Sequence, residues 1–327
     1  MRNASGGRAR AGVAGGCRQR GRLHGRARLR HPAGTRRPGT AVGRRPRAGQ
    51  SILLARDRPD HRGRLSDGAR HVKVSGVFVV TGAHEAELLR TSLPALLPQV
   101  DELTVVANGP GSWPAQLPDG VRVVVGERPL GFSANVNTGI EATRGEYVVI
   151  SNPDAVPEPD CVAELVAFAD AHPRCGVAGP KMINPDGTLQ ASRRSFPTVG
   201  GTIVRRTLLR SLFPPLRWQR RHYLLDAPVD GPLQVDTMLG AFLLMRRTML
   251  EEIGGWDAGY RLYVEDIDLS YRAMKAGWER WWVPSAVVHH EYQAVIDKHF
   301  FTRRNLWHLR AMLRFLRKHP ERLFALR

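Results

Sequence analysis

From residue 74 onward, apolar residues alternate between short solid runs and stretches where they recur at helical spacing. The solid runs at 74–81, 103–107, 121–125 and 146–150 predict buried strands. Between them, Leu88, Leu89, Leu93, Leu96 and Leu97 predict a helix over 85–97, and a second helix is expected over 133–143. Asn108, Gly109, Pro110 and Gly111 close the second strand as a turn cluster. Strands alternating with helices predict an α/β fold with a mostly parallel central sheet flanked by helices. Ligands of such sheets sit at the carboxyl ends of the strands, where Asn108 and Asp154 both fall.

The second half continues the alternation less regularly. A helix is expected over 158–171, a short strand from Val177, and a turn at Asn184, Pro185, Asp186 and Gly187. Residues 187–225 hold no acid but eight arginines, mixed with Phe196, Trp218 and several leucines. A strand follows over 238–245, then helices over 265–276 and 298–319. In the last helix Leu306, Leu309, Leu313 and Leu316 form one stripe, and Arg303, Arg310, Arg314 and Arg317 another beside it. Such a basic amphipathic helix either packs on a core with a charged edge or lies at an anionic membrane surface.

Charge changes the picture only at the amino end. The net charge of +19 is concentrated in residues 1–70, which hold 19 Arg against three Asp. The rest of the 327-residue chain is nearly balanced, with 30 Lys+Arg against 27 Asp+Glu. The basic segment is rich in Gly, Ala, Arg and Pro and lacks apolar periodicity. It is expected to be a disordered leader, from a start assigned too early, ahead of a domain over 71–297 and the helix over 298–327. A nucleic-acid-binding arm is the rival reading, but no specific nucleic acid is expected as partner. No 18-residue apolar run is present, so no membrane span is expected. The three cysteines lack metal or disulfide spacing and suit a reducing, cytosolic setting.

Three groups of residues could carry chemistry. Asp154, in Ser151-Asn152-Pro153-Asp154 at a strand end, can offer a hard oxygen ligand to a divalent cation, or serve only a helix-entry turn. The segment YVEDIDLSYR at 263–272 places three acids at a helix start. There they can stabilise the helix dipole, and Asp268 can pair with Arg272. Alternatively Glu265 and Asp266 face a cleft, where a carboxylate can act as a general base. His289 and His290 follow an apolar run, and an imidazole there is either structural or a metal ligand.

In order and spacing these groups resemble family 2 inverting glycosyltransferases of the GT-A fold. PLGFSANVNTGI at 129–140 looks like that family's glycine-, phenylalanine- and asparagine-bearing segment. SNPDA resembles its metal-site turn, and GAFLLMRR, IGGWD, YVEDIDLSYR and AGW follow in the family's order. GPKMINPDGTLQASRRSFP at 179–197 and VPSAVVHH resemble the rhamnosyltransferase branch. The resemblance covers about 74–295. It implies that Asp154 holds Mg2+ or Mn2+ against the donor's diphosphate and that His290, or else His289, completes those contacts. It implies Asp266 as general base with Glu265 beside it to orient the acceptor. Asn108, Asn135 and Asn137 would line the nucleotide-sugar pocket, and Arg272 joins the donor-binding set.

Two departures stand out. Ala107 occupies the place of a base-contacting Asp, and Asn152 replaces a second carboxylate in the metal turn. The branch implies dTDP-rhamnose as donor and a glycan or lipid-linked sugar as acceptor. It also implies a cytoplasmic enzyme on the inner face of the plasma membrane. The alternatives are a sugar-nucleotide nucleotidyltransferase, whose glycine-rich basic loop is missing at Thr81-Gly82-Ala83-His84, and a degenerate homologue that binds nucleotide without turnover.

Overall fold

The computed structural model describes residues 50–53, 72–110, 117–198, 217–291 and 303–323. Within the basic leader it describes only β1 (Gln50–Leu53), a strand paired antiparallel to β4 (Val121–Gly126). The rest of 1–70 lies outside the described residues.

The first half follows the predicted alternation. β2 (Val74–Val80), β3 (Glu102–Ala107), β4 and β5 (Tyr147–Ser151) run parallel, in the order β4-β3-β2-β5. All seven residues of β2 are buried, as expected of a strand covered on both faces. The helices between them are α1 (Ala83–Leu96) and α2 (Phe132–Glu141). α2 lies tight on the sheet at Gly139, where a β-carbon would come within 2.3 Å of the Val77 side chain.

The second half adds β6 (Ala155–Pro157), α3 (Cys161–Ala171), β7 (Cys175–Ile183), β8 (Arg193–Arg194), α4 (Arg217–His222), β9 (Leu233–Gln234) and β10 (Thr237–Met238). Then come β11 (Phe242–Arg246), α5 (Arg247–Ile253), α6 (Glu265–Lys275), β12 (Glu279–His290) and α7 (Arg303–Lys318). The main sheet runs β1-β4-β3-β2-β5-β11-β7-β12-β6, with β9 paired to β12. β11 is antiparallel to both β5 and β7, and β7 and β12 are parallel. Six strands therefore point one way, and the sheet is mostly parallel with a reversed strand at its centre.

The expected strand over 238–245 is two strands. β10 pairs with β8 in a separate two-stranded sheet, and residues 239–241 link it to β11 with backbone groups that serve other partners, described below. The apolar run before His289 is one 12-residue strand, β12, whose register slips between Val283 and Val287.

The core has two layers and an annex. α1 and α3 pack Leu89, Leu93, Leu165 and Val166 on one sheet face. α2, α5 and α6 pack Val136, Met249 and Leu269 on the other. The annex joins α7, through Ala311, Met312 and Phe315, to Tyr260 and Tyr271. Leu306, Leu309 and Leu313 face outward, 47%, 56% and 51% exposed. Leu316 is corrected from that stripe, because it packs against the annex. Arg314 turns back to pair with Asp257 at 2.9 Å, while Arg310 and Arg317 stay exposed. Residues 298–302 of the expected helix lie outside the described residues.

Candidate active site at the carboxyl edge of the sheet

The turn after β5 answers to its proline. The N–H of Ala155 donates to the Asn152 carbonyl at 3.1 Å, closing a four-residue turn with Pro153 second. Proline's restricted φ suits that position. β6 then pairs antiparallel with the end of β12, setting Ala155 opposite His290. This pairing places Asp154 Oδ1 3.3 Å from His290 Nε2. Successive strand residues point to opposite faces. His290 accordingly turns inward, 4% exposed, while His289 turns out to Glu158 at 3.1 Å. Of the two histidines, His290 is the one that meets Asp154.

Glu265 and Asp266 begin α6 directly after Tyr263 and Val264, whose φ values of 73° and 68° are left-handed. A β-branched residue there is strained by about 1–3 kcal/mol. Asp266 Oδ2 accepts from the Gly240 N–H at 3.2 Å, and its Oδ1 from the Ile267 N–H at 2.8 Å. Glu265 is buried, and its Oε2 has no hydrogen-bond partner among the described residues. Burial and the like charge of Asp266 push the Glu265 carboxyl up to about 8. Burial also raises Asp266, against the opposing pull of the Arg194 guanidinium and the backbone donors.

The two acidic groups meet through residues 239–241. The N–H of Asn152 donates to the Ala241 carbonyl at 2.7 Å, and the neighbouring Gly240 N–H holds Asp266. The Leu239 N–H reaches the Ser192 carbonyl at 2.8 Å, tying in the strand that carries Arg194. Asp266 and the turn that carries Asp154, 112 residues apart in sequence, are thus tied to adjacent backbone positions at one edge of the sheet.

The three asparagines and Arg272 each bond neighbouring groups of the chain. Asn108 clamps Leu130, its Oδ1 accepting from the Leu130 N–H at 2.6 Å and its Nδ2 donating to the Leu130 carbonyl at 3.1 Å. Asn137 clamps Trp256 in the same way, at 2.9 and 2.7 Å. Asn135, 1% exposed, donates to the Gly131 carbonyl. These amides fasten loops to strands and to α2. Gly131 completes that joint: a β-carbon there would lie 2.8 Å from Arg261 Cα. Arg272 binds Asp268 Oδ2 at 2.6 Å and the Ile253 carbonyl at 2.8 Å.

Arg194 is the residue that sequence reasoning left in an undifferentiated basic stretch. The only signal was its place in SRRSFP, and its neighbour Arg193 behaves oppositely. Arg193 is buried, donates to the Ala227 carbonyl at 2.8 Å and lies 4.4 Å from the Trp282 ring centre. Arg205, Arg206 and Arg210 lie outside the described residues. At the departure from the family pattern, Ala107 is fully buried inside β3.

Asp154 and His290 supply one carboxylate oxygen and one imidazole nitrogen. Among the described residues no group of three or more His, Cys, Asp or Glu forms a cage. This donor set fits a divalent cation that takes its remaining ligands from phosphate oxygens.

A sheet of this order, with carboxylates gathered at its carboxyl edge, defines a GT-A-type α/β protein. The crystal structure of GalNAc-T7 with UDP, GalNAc and Mn2+ shares the fold, with a TM-score of 0.52 at 16% identity over 76% of this chain and 48% of that one. The profile of Glycosyltransferase like family 2 matches residues 112–314, and the chain belongs to that family. It is 36% identical over 151 residues to the N-acetylglucosaminyl-diphospho-decaprenol L-rhamnosyltransferase of Mycobacterium tuberculosis strain ATCC 25618 / H37Rv. That match covers 45% of this chain and 47% of the relative, about half its length. It is also 37% identical over 82 residues to Rhamnosyltransferase WbbL of Escherichia coli strain K12, covering 25% of this chain and 31% of that one.

Proposed function

We propose that this chain transfers a sugar, with inversion, from a nucleotide diphosphate to a hydroxyl of a glycan or a polyprenyl-diphosphate-linked sugar. The similarity to two rhamnosyltransferases favours rhamnose, carried as dTDP-rhamnose. The observation that supports the proposal is that Asp266 and the turn carrying Asp154, through Asn152, bond the neighbouring residues Gly240 and Ala241 of one backbone segment.

In this reading Asp154 and His290 hold Mg2+ or Mn2+. The ion, when bound, offsets the negative charge that collects on the departing diphosphate. Asp266 takes the proton of the acceptor hydroxyl. Its raised affinity for a proton suits a base, while Arg194 and the Gly240 N–H favour its ionised form. Glu265, which burial holds protonated at neutral pH, can donate to an acceptor oxygen while Asp266 accepts. Buried Ala107 offers the nucleotide base no polar side chain, so base recognition falls to other residues.

A lipid-linked acceptor suits the outer face of α7. There Leu306, Leu309 and Leu313 are exposed beside Arg310 and Arg317. We place the enzyme in the cytoplasm, peripheral on the inner face of the plasma membrane. No helix among the described residues is long and apolar enough to cross a membrane.

The test is a panel of nucleotide sugars with Mn2+ or Mg2+, read as transfer to a lipid-linked acceptor. Asp266→Asn is expected to lower turnover by about 10²–10⁴-fold with donor affinity retained. Asp154→Ala is expected to weaken Mn2+ binding. Wild-type turnover in Asp266→Asn would refute the base assignment.

A further inference from the structure

The strand β8 carries two adjacent arginines, and alternation along a strand sends their side chains to opposite faces. Arg193 faces inward, where backbone carbonyls and the Trp282 ring occupy it. Arg194 is half-buried, and only its Nε has a hydrogen-bond partner among the described residues, the Ala191 carbonyl at 3.2 Å. The Tyr223 ring centre lies 5.5 Å from its guanidinium carbon. The Ser195 N–H, donating to the His222 carbonyl at 2.9 Å, ties that end of α4 to the strand. The guanidinium is therefore held in place, while its two terminal nitrogens, with their four N–H groups, stay uncommitted.

This cation stands beside the candidate base without pairing with it. In the ladder of β8 and β10, Arg194 lies opposite Thr237, whose hydroxyl donates to the Asp266 carbonyl at 3.4 Å. Arg194 is also the basic group whose attraction opposes the effect of burial on Asp266. A guanidinium that serves only as a counter-ion closes on its carboxylate, as Arg272 does on Asp268 at 2.6 Å. The Asp266 carboxylate instead accepts from the Gly240 and Ile267 N–H groups, and no carboxylate pairs with Arg194 among the described residues.

We infer that Arg194 binds a phosphate oxyanion of the acceptor, which makes the acceptor a sugar linked through phosphate or diphosphate and not a neutral glycan. The inference rests on the proposed function above. There the donor's departing diphosphate belongs with Asp154 and His290. Inversion brings the acceptor hydroxyl to the anomeric carbon from the opposite side, where Asp266 takes its proton. A cation beside Asp266 thus stands on the acceptor's side, and the anion it meets is one that the acceptor carries. A phosphate on the anomeric carbon of the accepting sugar lies across the ring from the reacting hydroxyl. The planar fork of a guanidinium matches two phosphate oxygens at once.

The test is calorimetric binding of two probes to the full chain, without donor or metal: N-acetylglucosamine joined to farnesol through a diphosphate, and the same sugar joined to farnesol directly. Wild type is expected to bind the diphosphate probe about 10–100-fold more tightly, as charge-assisted hydrogen bonds provide. Arg194→Gln is expected to lose that preference, and Arg194→Lys, which keeps the charge but not the fork, to retain part of it. No preference in wild type, or an equal preference in wild type and Arg194→Gln, would overturn the inference. Binding of dTDP to the same proteins separates the two sources of phosphate. It is expected to be alike in wild type and Arg194→Gln; a loss for dTDP as large as that for the diphosphate probe would assign the arginine to the donor and overturn the inference. Wild-type turnover in Asp266→Asn, with a probe preference that still follows Arg194, would refute the base assignment and leave Arg194 as the anchor of the acceptor's phosphate.

Discussion

At the residue scale, adjacent carboxyl groups are given different surroundings. Asp266 has two backbone donors and the field of Arg194, whereas Glu265 is buried with one oxygen unpartnered among the described residues. The consequence for stability has a definite sign. Unfolded glutamate titrates near 4.3, and the folded group near 8. Between those values the folded state binds a proton that the unfolded state has released, so stability falls as pH rises through the window. Glu265→Gln should remove this slope and be more stable than wild type at about pH 8, with the two converging near pH 4. Urea denaturation across that range measures the difference.

Asp268 shows how little a motif by itself says about each acid in it. It lies two residues beyond Asp266 yet faces the other way, fully buried. This orientation belongs to the element scale, where α6 is joined to α7. Asp268 receives Arg272 at 2.6 Å, Lys318 at 3.0 Å, His319 at 3.0 Å and the Tyr260 hydroxyl at 3.3 Å. Burial alone would raise its carboxyl, but the Arg272 guanidinium, with Lys318 and His319, outweighs this and holds it below the ordinary range. Its contribution is therefore present above the ordinary aspartate range and lost as pH falls below it. Asp268→Asn removes the buried charge that Arg272 and Lys318 face and should cost roughly 1.5–3 kcal/mol in urea denaturation at neutral pH. Because α6 begins with Glu265 and Asp266, the same joint steadies the candidate base from behind. Equal stability of Asp268→Asn and wild type would show that the network contributes nothing net.

At the scale of the whole molecule, α7 presents two unlike faces. Its inner side completes the annex through Phe315, which is fully buried. Its outer side keeps three leucines in solvent between exposed arginines, the pattern of a helix that lies in a membrane interface. Anionic lipid adds about 1 kcal/mol per basic residue near the surface. Full-length protein should float with anionic liposomes, more strongly at low salt, and Leu309→Glu with Leu313→Glu should reduce recovery without unfolding the chain. Equal recovery of wild type, the double variant and a 1–297 truncation would remove the membrane assignment.

Much of this was legible along the chain. Solid apolar runs announce strands covered on both faces, and helical spacing announces α1, α2 and α6, because burial dictates periodicity locally. The acids of YVEDID and the turn at Asp154 were recognisable for the same reason: turn and helix-start chemistry is local. What pairs with what was not local. The antiparallel insertion of β11 and the separate pairing of β10 with β8 depend on partners far away in sequence. The choice of His290 over His289 waited on the phase of β12 against β6. The bonds that Asn108, Asn137 and Arg272 make waited on backbone groups contributed by Leu130, Trp256 and Ile253. Composition and spacing determine which side chains are available; only the tertiary structure decides which polar groups are spent on holding the chain and which remain to act.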